Sequence, residues 1–233
     1  MVVIVPSRSR PGSVTRMRQA WEATNAFGVA ELVWALDADD PCYEEYLTQM
    51  DGCGPREVAM ALPEWRPMVT KLDRFARALA VDDHQAIGFM GDDHVPRTDV
   101  WAQRLLAELR DMGTGIVYGD DLLQREVLPT QWVMTADIVR ALRRMVPAPV
   151  GHLYCDNAVL ALGRALRRIR YVGDVVIEHM HPLAGKVEPD PQYERVNSDA
   201  QRQADRHAYM AWMGAEGGLA ADVECVKREC GLS

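Results

Sequence analysis

Short apolar runs alternate along this chain with segments whose apolar residues recur at helical spacing. MVVIV (1 to 5) precedes a helical pattern at 13 to 26, and ELVWAL (31 to 36) precedes a segment at 42 to 50. A helix is expected at 68 to 81, then the run AIGFM (86 to 90), a helix at 98 to 111 and the run GIVYG (115 to 119). Farther on, Val159, Leu160, Leu162 and Leu166 mark a helix, YVGDVVIEHMHP (171 to 182) reads as a strand, and a last helix is expected at about 198 to 213. Strands alternating with crossover helices predict an α/β fold built on a mostly parallel sheet. Ligands of such sheets bind outside the carboxyl ends of the strands.

Those ends are acidic. ELVWAL runs into DADDP, AIGFM into GDDH and GIVYG into DDL, where like charges repel and nothing apolar is gained. Turn and cap chemistry explains any one cluster: Asp39-Asp40-Pro41 suits a helix start, and Asp92 or Asp93 suits the cap of a helix beginning near Thr98. Three clusters on one rim point to cation binding. The first strand leads into Pro6-Ser7-Arg8-Ser9-Arg10-Pro11, which matches no phosphate-binding glycine loop, so a bound nucleotide needs a metal to neutralise its phosphates.

In a strand ending at Pro182, alternation puts Val175, Ile177, His179 and His181 on one face, which makes His179 and His181 a candidate ligand pair. Asp156 stands at the start of the helix marked by Val159 and reads as an N-cap or as a functional carboxylate. Trp132 reads as packing or as a stacking surface. The Pro-rich, charged segment 182 to 197 reads as a lid, with Lys186 reaching inward, or as a linker.

Composition narrows the classes. With 48% hydrophobic residues in 233, the chain can bury one large core. A net charge of −8 argues against a broad nucleic-acid face, and the basic run from Arg164 to Arg170 reads as the end of an amphipathic helix. The five cysteines include no CxxC pair, so they read as reduced thiols. No run approaches a membrane span and the opening apolar run is too short for a signal segment, so a cytoplasmic protein is expected.

From 2 to 182 the chain resembles the GT-A fold of family-2-like nucleotide-sugar glycosyltransferases, in the order of VVIVPSRSRP, ELVWALDADD and FMGDDHVP. That resemblance implies a GT-A catalytic domain over 1 to 182, followed at 183 to 233 by a lid segment and a C-terminal helix packed on it. It implies transfer of a sugar from a nucleoside-diphosphate donor to a hydroxyl of a glycan, lipid, protein or modified nucleobase, with Mn2+ or Mg2+ as cofactor. In the metal-binding motif Gly91 takes the first acidic position, Asp92 the middle and Asp93 the ligating third. His94, His179 and His181 are further ligand candidates, His181 foremost. Asp156 falls where the family carries a catalytic base, giving inversion at the sugar. Donor contacts are expected from Pro6, Ser7, Arg8, Arg10, Asp37, Asp39, Lys71, Asp92 and Lys186. Acceptor contacts are expected from Asp120, Asp121 and Trp132.

Three other readings compete. A nucleotidyltransferase lacks support at the first loop, a zinc hydrolase would use Asp93 with His179 and His181, and a non-catalytic binding protein would hold a sugar nucleotide without turning it over.

Overall fold

The computed structural model describes residues 1–80, 84–214 and 218–233. Its strands are β1 (Val2–Pro6), β2 (Glu31–Asp37), β3 (Glu57–Leu62), β4 (Ala86–Phe89), β5 (His94–Pro96), β6 (Ile116–Asp120), β7 (Trp132–Thr135) and β8 (Ile169–His179). Its helices are α1 (Gly12–Ala23), α2 (Tyr43–Met50), α3 (Met68–Leu79), α4 (Trp101–Met112), α5 (Ala136–Leu142), α6 (Cys155–Leu166), α7 (Pro191–Val196), α8 (Asp199–Gly214) and α9 (Leu219–Cys230).

The strands form one mixed sheet in the order β3-β2-β1-β4-β7-β6-β8-β5. β3, β2, β1 and β4 run parallel, β7 is antiparallel to both β4 and β6, β6 and β8 are parallel, and β5 closes the edge antiparallel to β8. The central strands read as unbroken apolar runs because both faces are covered. Along β1, Val2 and Ile4 face one core with Leu72 and Phe75 of α3, Val159 of α6 and Val226 of α9. Val3 and Val5 face the other core with Trp21 of α1, Tyr46 of α2 and Leu105 of α4. The α/β class and the mostly parallel sheet expected from the sequence are therefore present.

Several elements differ from expectation. β3 and β7 were not foreseen: EVAMAL lies at the sheet edge, buried only at Glu57 and Leu62, and WVMT is a four-residue insertion between antiparallel neighbours. The helix expected at 98 begins at Trp101, because residues 94–96 first pair with β8 as β5. The basic run is split: α6 stops at Leu166, Arg167 turns at φ 55, and Arg170 lies on β8 paired to Glu108 and Asp111. The expected 171–182 strand ends at His179. Position 81 of the expected 68–81 helix lies outside the described residues, and α3 ends at Leu79. α9 was not expected, yet Val223 and Val226 reach the core, and Asp222 accepts hydrogen bonds from Arg144 and the Trp212 indole. Among the described residues no helix is long and apolar enough to cross a membrane.

Candidate active site

A cleft of about 310 Å³ opens at the carboxyl ends of β1, β4 and β8. The GDDH turn after β4 builds its floor. Gly91 is required there, because a Cβ would lie 2.5 Å from Asp93 Oδ1 and 2.8 Å from His94 Nδ1. Glycine at the motif's first acidic position thus makes room for the two side chains that follow.

Asp92 turns inward. Its carboxylate accepts from Ser7 Oγ at 2.5 Å and Arg10 at 2.9 Å, and its carbonyl accepts from Arg16 at 2.7 Å. Burial raises its pKa. It stitches the loop after β1 to the turn after β4, which sets Ser7, Arg8 and Arg10 along the cleft.

Asp93 faces the histidines. Its Oδ2 lies 3.3 Å from His179 Nε2 and its Oδ1 3.2 Å from His94 Nδ1. Cross-strand register explains the meeting: His94 of β5 stands directly opposite His179 of β8, and their rings stack at 4.2 Å. The amide of Met180 donates to the Asp93 carbonyl at 2.8 Å and that of His179 to the Asp121 carbonyl at 3.0 Å, fixing the end of β8. Burial acts to raise the Asp93 carboxyl, but hydrogen bonds and charge from His179 and His94 outweigh it and hold it well below the usual range. Burial likewise acts to lower His179, but Asp121 and Asp93 flank it and push it up to about 9.

Asp93, His94 and His179 can each offer one atom to a cation, all within 4.8 Å of one another. A carboxylate with imidazoles suits a divalent transition ion. His179 Nδ1 is buried without a hydrogen-bond partner among the described residues and sits 3.8 Å from Asp121 Oδ2, so a carboxylate backs the imidazole as it does behind metal-bound histidines. His94 is more committed, since Nδ1 accepts from the Gly91 amide at 3.2 Å and Nε2 lies 3.3 Å from Thr130 Oγ1. His181 lies outside this group. Its ring stands edge-on to His179 at 4.7 Å, its Nδ1 accepts from the Leu183 amide, and it lines the cleft.

Asp156 lines the same cleft. It is not the N-cap of α6: that position is Tyr154, in the left-handed region at φ 65, and among the described residues Asp156 Oδ1 accepts only from its neighbour Asn157. The lowered pKa expected of a capping carboxylate is accordingly absent, and burial pushes Asp156 up to about 6. Lys71, buried on α3, also lines the cleft and pairs with Asp37 at 2.8 Å.

Six expected contacts fall elsewhere. Asp37 is fully buried between Lys71 and Arg8, and Asp39 accepts from Arg8 and the Trp65 amide, so both support the cleft from behind. Asp120 accepts from the Leu122 amide. Asp121, buried, accepts from the amides of Leu123, Gln124 and Arg125 and from Thr130 Oγ1; it ties the turn and offers nothing to an acceptor. Trp132 is fully buried against Phe89, so its ring packs the core and cannot stack on a sugar. Lys186 turns away to Glu178 at 2.9 Å and the His179 carbonyl.

The structure also adds residues that sequence reasoning passed over. Asp190 forks onto Arg10 at 2.6 and 2.8 Å and caps α7, whose Tyr193 and Arg195 line the cleft mouth. The Asp-Pro pair at 190 and 191 carried a readable helix-start signal. Arg195 stacks over Trp65 at 4.3 Å. His152, also in the cleft, is held down to about 4 by burial.

No protein-family model matches the chain, and no curated protein matches it. Solved structures do. The mannosyltransferase PcManGT from Pyrobaculum calidifontis, in complex with GDP-Man and Mn2+, superposes with a TM-score of 0.68 at 14% identity, over 99% of this chain and 72% of that one. The fold is GT-A. S. aureus TarS 1-349 superposes with a TM-score of 0.61 at 10% identity, over 98% of this chain and 69% of that one, and its complex with UDP-GlcNAc gives 0.59 at 12%. Within this GT-A fold the acidic turn after β4, the end of β8 and the start of α6 converge on one cleft.

Proposed function

We propose that this chain is a glycosyltransferase that moves a sugar from a nucleoside-diphosphate donor to an acceptor hydroxyl, with Mn2+ or Mg2+ as its cation. The observation that carries the reading is the pairing, in one cleft of a GT-A fold, of the Asp93–His179 group with the separate carboxylate of Asp156. The superposed proteins whose complexes hold GDP-Man with Mn2+ and UDP-GlcNAc support the donor class.

Each residue then has a task. Asp93 and His179 would hold the cation, with His94 stacked on His179 and His181 beside it. When bound, the cation balances the negative charge that gathers on the departing diphosphate. Lys71, Arg8 and Arg10 bring positive charge to the same end; Asp37 and Asp92 orient these side chains and leave N–H groups free to meet phosphate oxygens. Asp156 takes the proton from the acceptor hydroxyl as its oxygen attacks the anomeric carbon, and attack opposite the leaving group gives inversion. A carboxylate lifted to about 6 is a stronger base than an ordinary one and is still ionised at neutral pH.

Calorimetry with GDP and with UDP, each with and without Mn2+, tests the donor half of this reading. Binding that needs the cation is expected, and equal affinity in excess chelator would remove the metal from the site. A stable nucleotide complex that never releases a sugar would return the non-catalytic reading.

A further inference from the structure

We propose that Asp205, on α8, is a positioning residue for the reaction: it gathers the amides of Gly151, His152 and Leu153 and thereby sets the loop that delivers Asp156 into the cleft. This inference rests on the proposed role of Asp156.

Along α8 only Asp205 and Trp212 are buried, so the helix plants a carboxylate where an apolar residue would be expected. A buried carboxylate is costly unless donors surround it. Asp205 Oδ1 accepts from the Gly151 amide at 2.6 Å, and Oδ2 accepts from His152 at 3.0 Å, Leu153 at 2.8 Å and Gln201 Nε2 at 2.8 Å. Three successive backbone N–H groups thus converge on one side chain, as they do around a bound anion. Gly151 leaves the room: a Cβ there would lie 3.0 Å from Gln201 Nε2 and 3.3 Å from Asp205 Oδ1.

The next residue carries strain. Tyr154 holds φ 65, a conformation that a bulky side chain adopts only when its surroundings impose it. The same helix supplies that restraint, for Tyr154 stacks on Tyr209, four residues after Asp205 on one face of α8, at 5.4 Å. On the other side the Gly151 carbonyl accepts from the Val69 amide of α3, two residues before Lys71. The loop is therefore held between α8 and the helix that carries the cleft-lining Lys71, and Asp156 follows two residues after the strained Tyr154. A hydroxyl attacking a bound sugar is sensitive to such placement, since small displacements of a catalytic group cost large factors in rate.

Asp205→Asn keeps the volume but turns an amide NH2 toward backbone donors. The probe is hydrolysis of GDP-mannose and of UDP-GlcNAc in Mn2+, together with hydrogen exchange at residues 151–156. The expected result is a kcat lower by about tenfold to a hundredfold with the donor KM within about twofold, and faster exchange from 151 through 156. A kcat within about twofold of the native protein, or a loss confined to KM, overturns the proposal. Should the Asn variant fail to fold, Gln201→Ala removes one donor to the same carboxylate without unpairing any backbone group; a kcat lowered several-fold is expected, and an unchanged kcat overturns. If the native protein hydrolyses neither sugar nucleotide, the functional reading fails by itself. The exchange arm still decides on Asp205, because unchanged protection at 154–156 in the variant overturns its hold on Asp156 and lost protection supports it.

Discussion

Oδ2 of Asp93 lies 3.3 Å from Nε2 of His179, across 86 residues of sequence. The contact follows from strand register, because β5 sets His94 opposite His179 and the Met180 amide bonds the Asp93 carbonyl. It brings one carboxylate and one imidazole together in the cleft at the end of the strands.

Asp93→Asn and His179→Ala are each expected to abolish the Mn2+ dependence of nucleoside-diphosphate binding, whereas His181→Ala weakens it less. Calorimetry with GDP or UDP in Mn2+ reads all three. A larger loss from His181→Ala than from His179→Ala would move the ligand from the end of β8 to His181, two residues past it.

Asp37 and Lys71 form a buried pair at 2.8 Å. Removing one partner leaves the other charge uncompensated, so Asp37→Ala should destabilise the protein by roughly 3 to 5 kcal/mol. Thermal or urea unfolding measures this. A loss of stability below about 1 kcal/mol would mean that Lys71 and Arg8 reach solvent once Asp37 is gone.

Asp156 predicts a pH dependence of definite sign. Its carboxyl is lifted by burial to about 6, and only the ionised form can act as base. Sugar-nucleotide turnover should therefore fall as the pH drops through about 6, and Asp156→Asn should remove that limb together with about two to four orders of magnitude of rate. For stability the sign is opposite: a raised folded-state pKa favours the folded protein at low pH and is lost as pH rises toward 6, so the Asn variant should be no less stable at neutral pH. An Asn variant with near-native turnover would take Asp156 out of the mechanism.

Trp132 is fully buried against Phe89, so Trp132→Ala should cost about 3 to 5 kcal/mol of stability. If the variant keeps its melting temperature and loses only transfer to acceptor, the ring belongs to the site after all.

The long central strands were legible because burial on both faces leaves unbroken runs such as VVIV and LVWAL. β3 and β7 were not, since EVAMAL sits at an edge and is exposed or half-buried between Glu57 and Leu62, and WVMT spans only four residues. The acidic turns were legible as a group, but their division of labour was not. Whether an aspartate faces the cleft histidines, as Asp93 does, or ties a turn, as Asp121 does, depends on which backbone amides lie within reach. The same limit hid Asp205, an ordinary polar residue on an amphipathic helix until the fold brings the 151–153 loop onto it.

Cation-dependent turnover of a sugar nucleotide is read by release of nucleoside diphosphate from GDP-mannose and UDP-GlcNAc by the native protein. Release from at least one donor is expected in Mn2+, none in excess chelator, and none from Asp93→Asn. Failure to bind either nucleotide in Mn2+, or equal release with and without chelator, would contradict it.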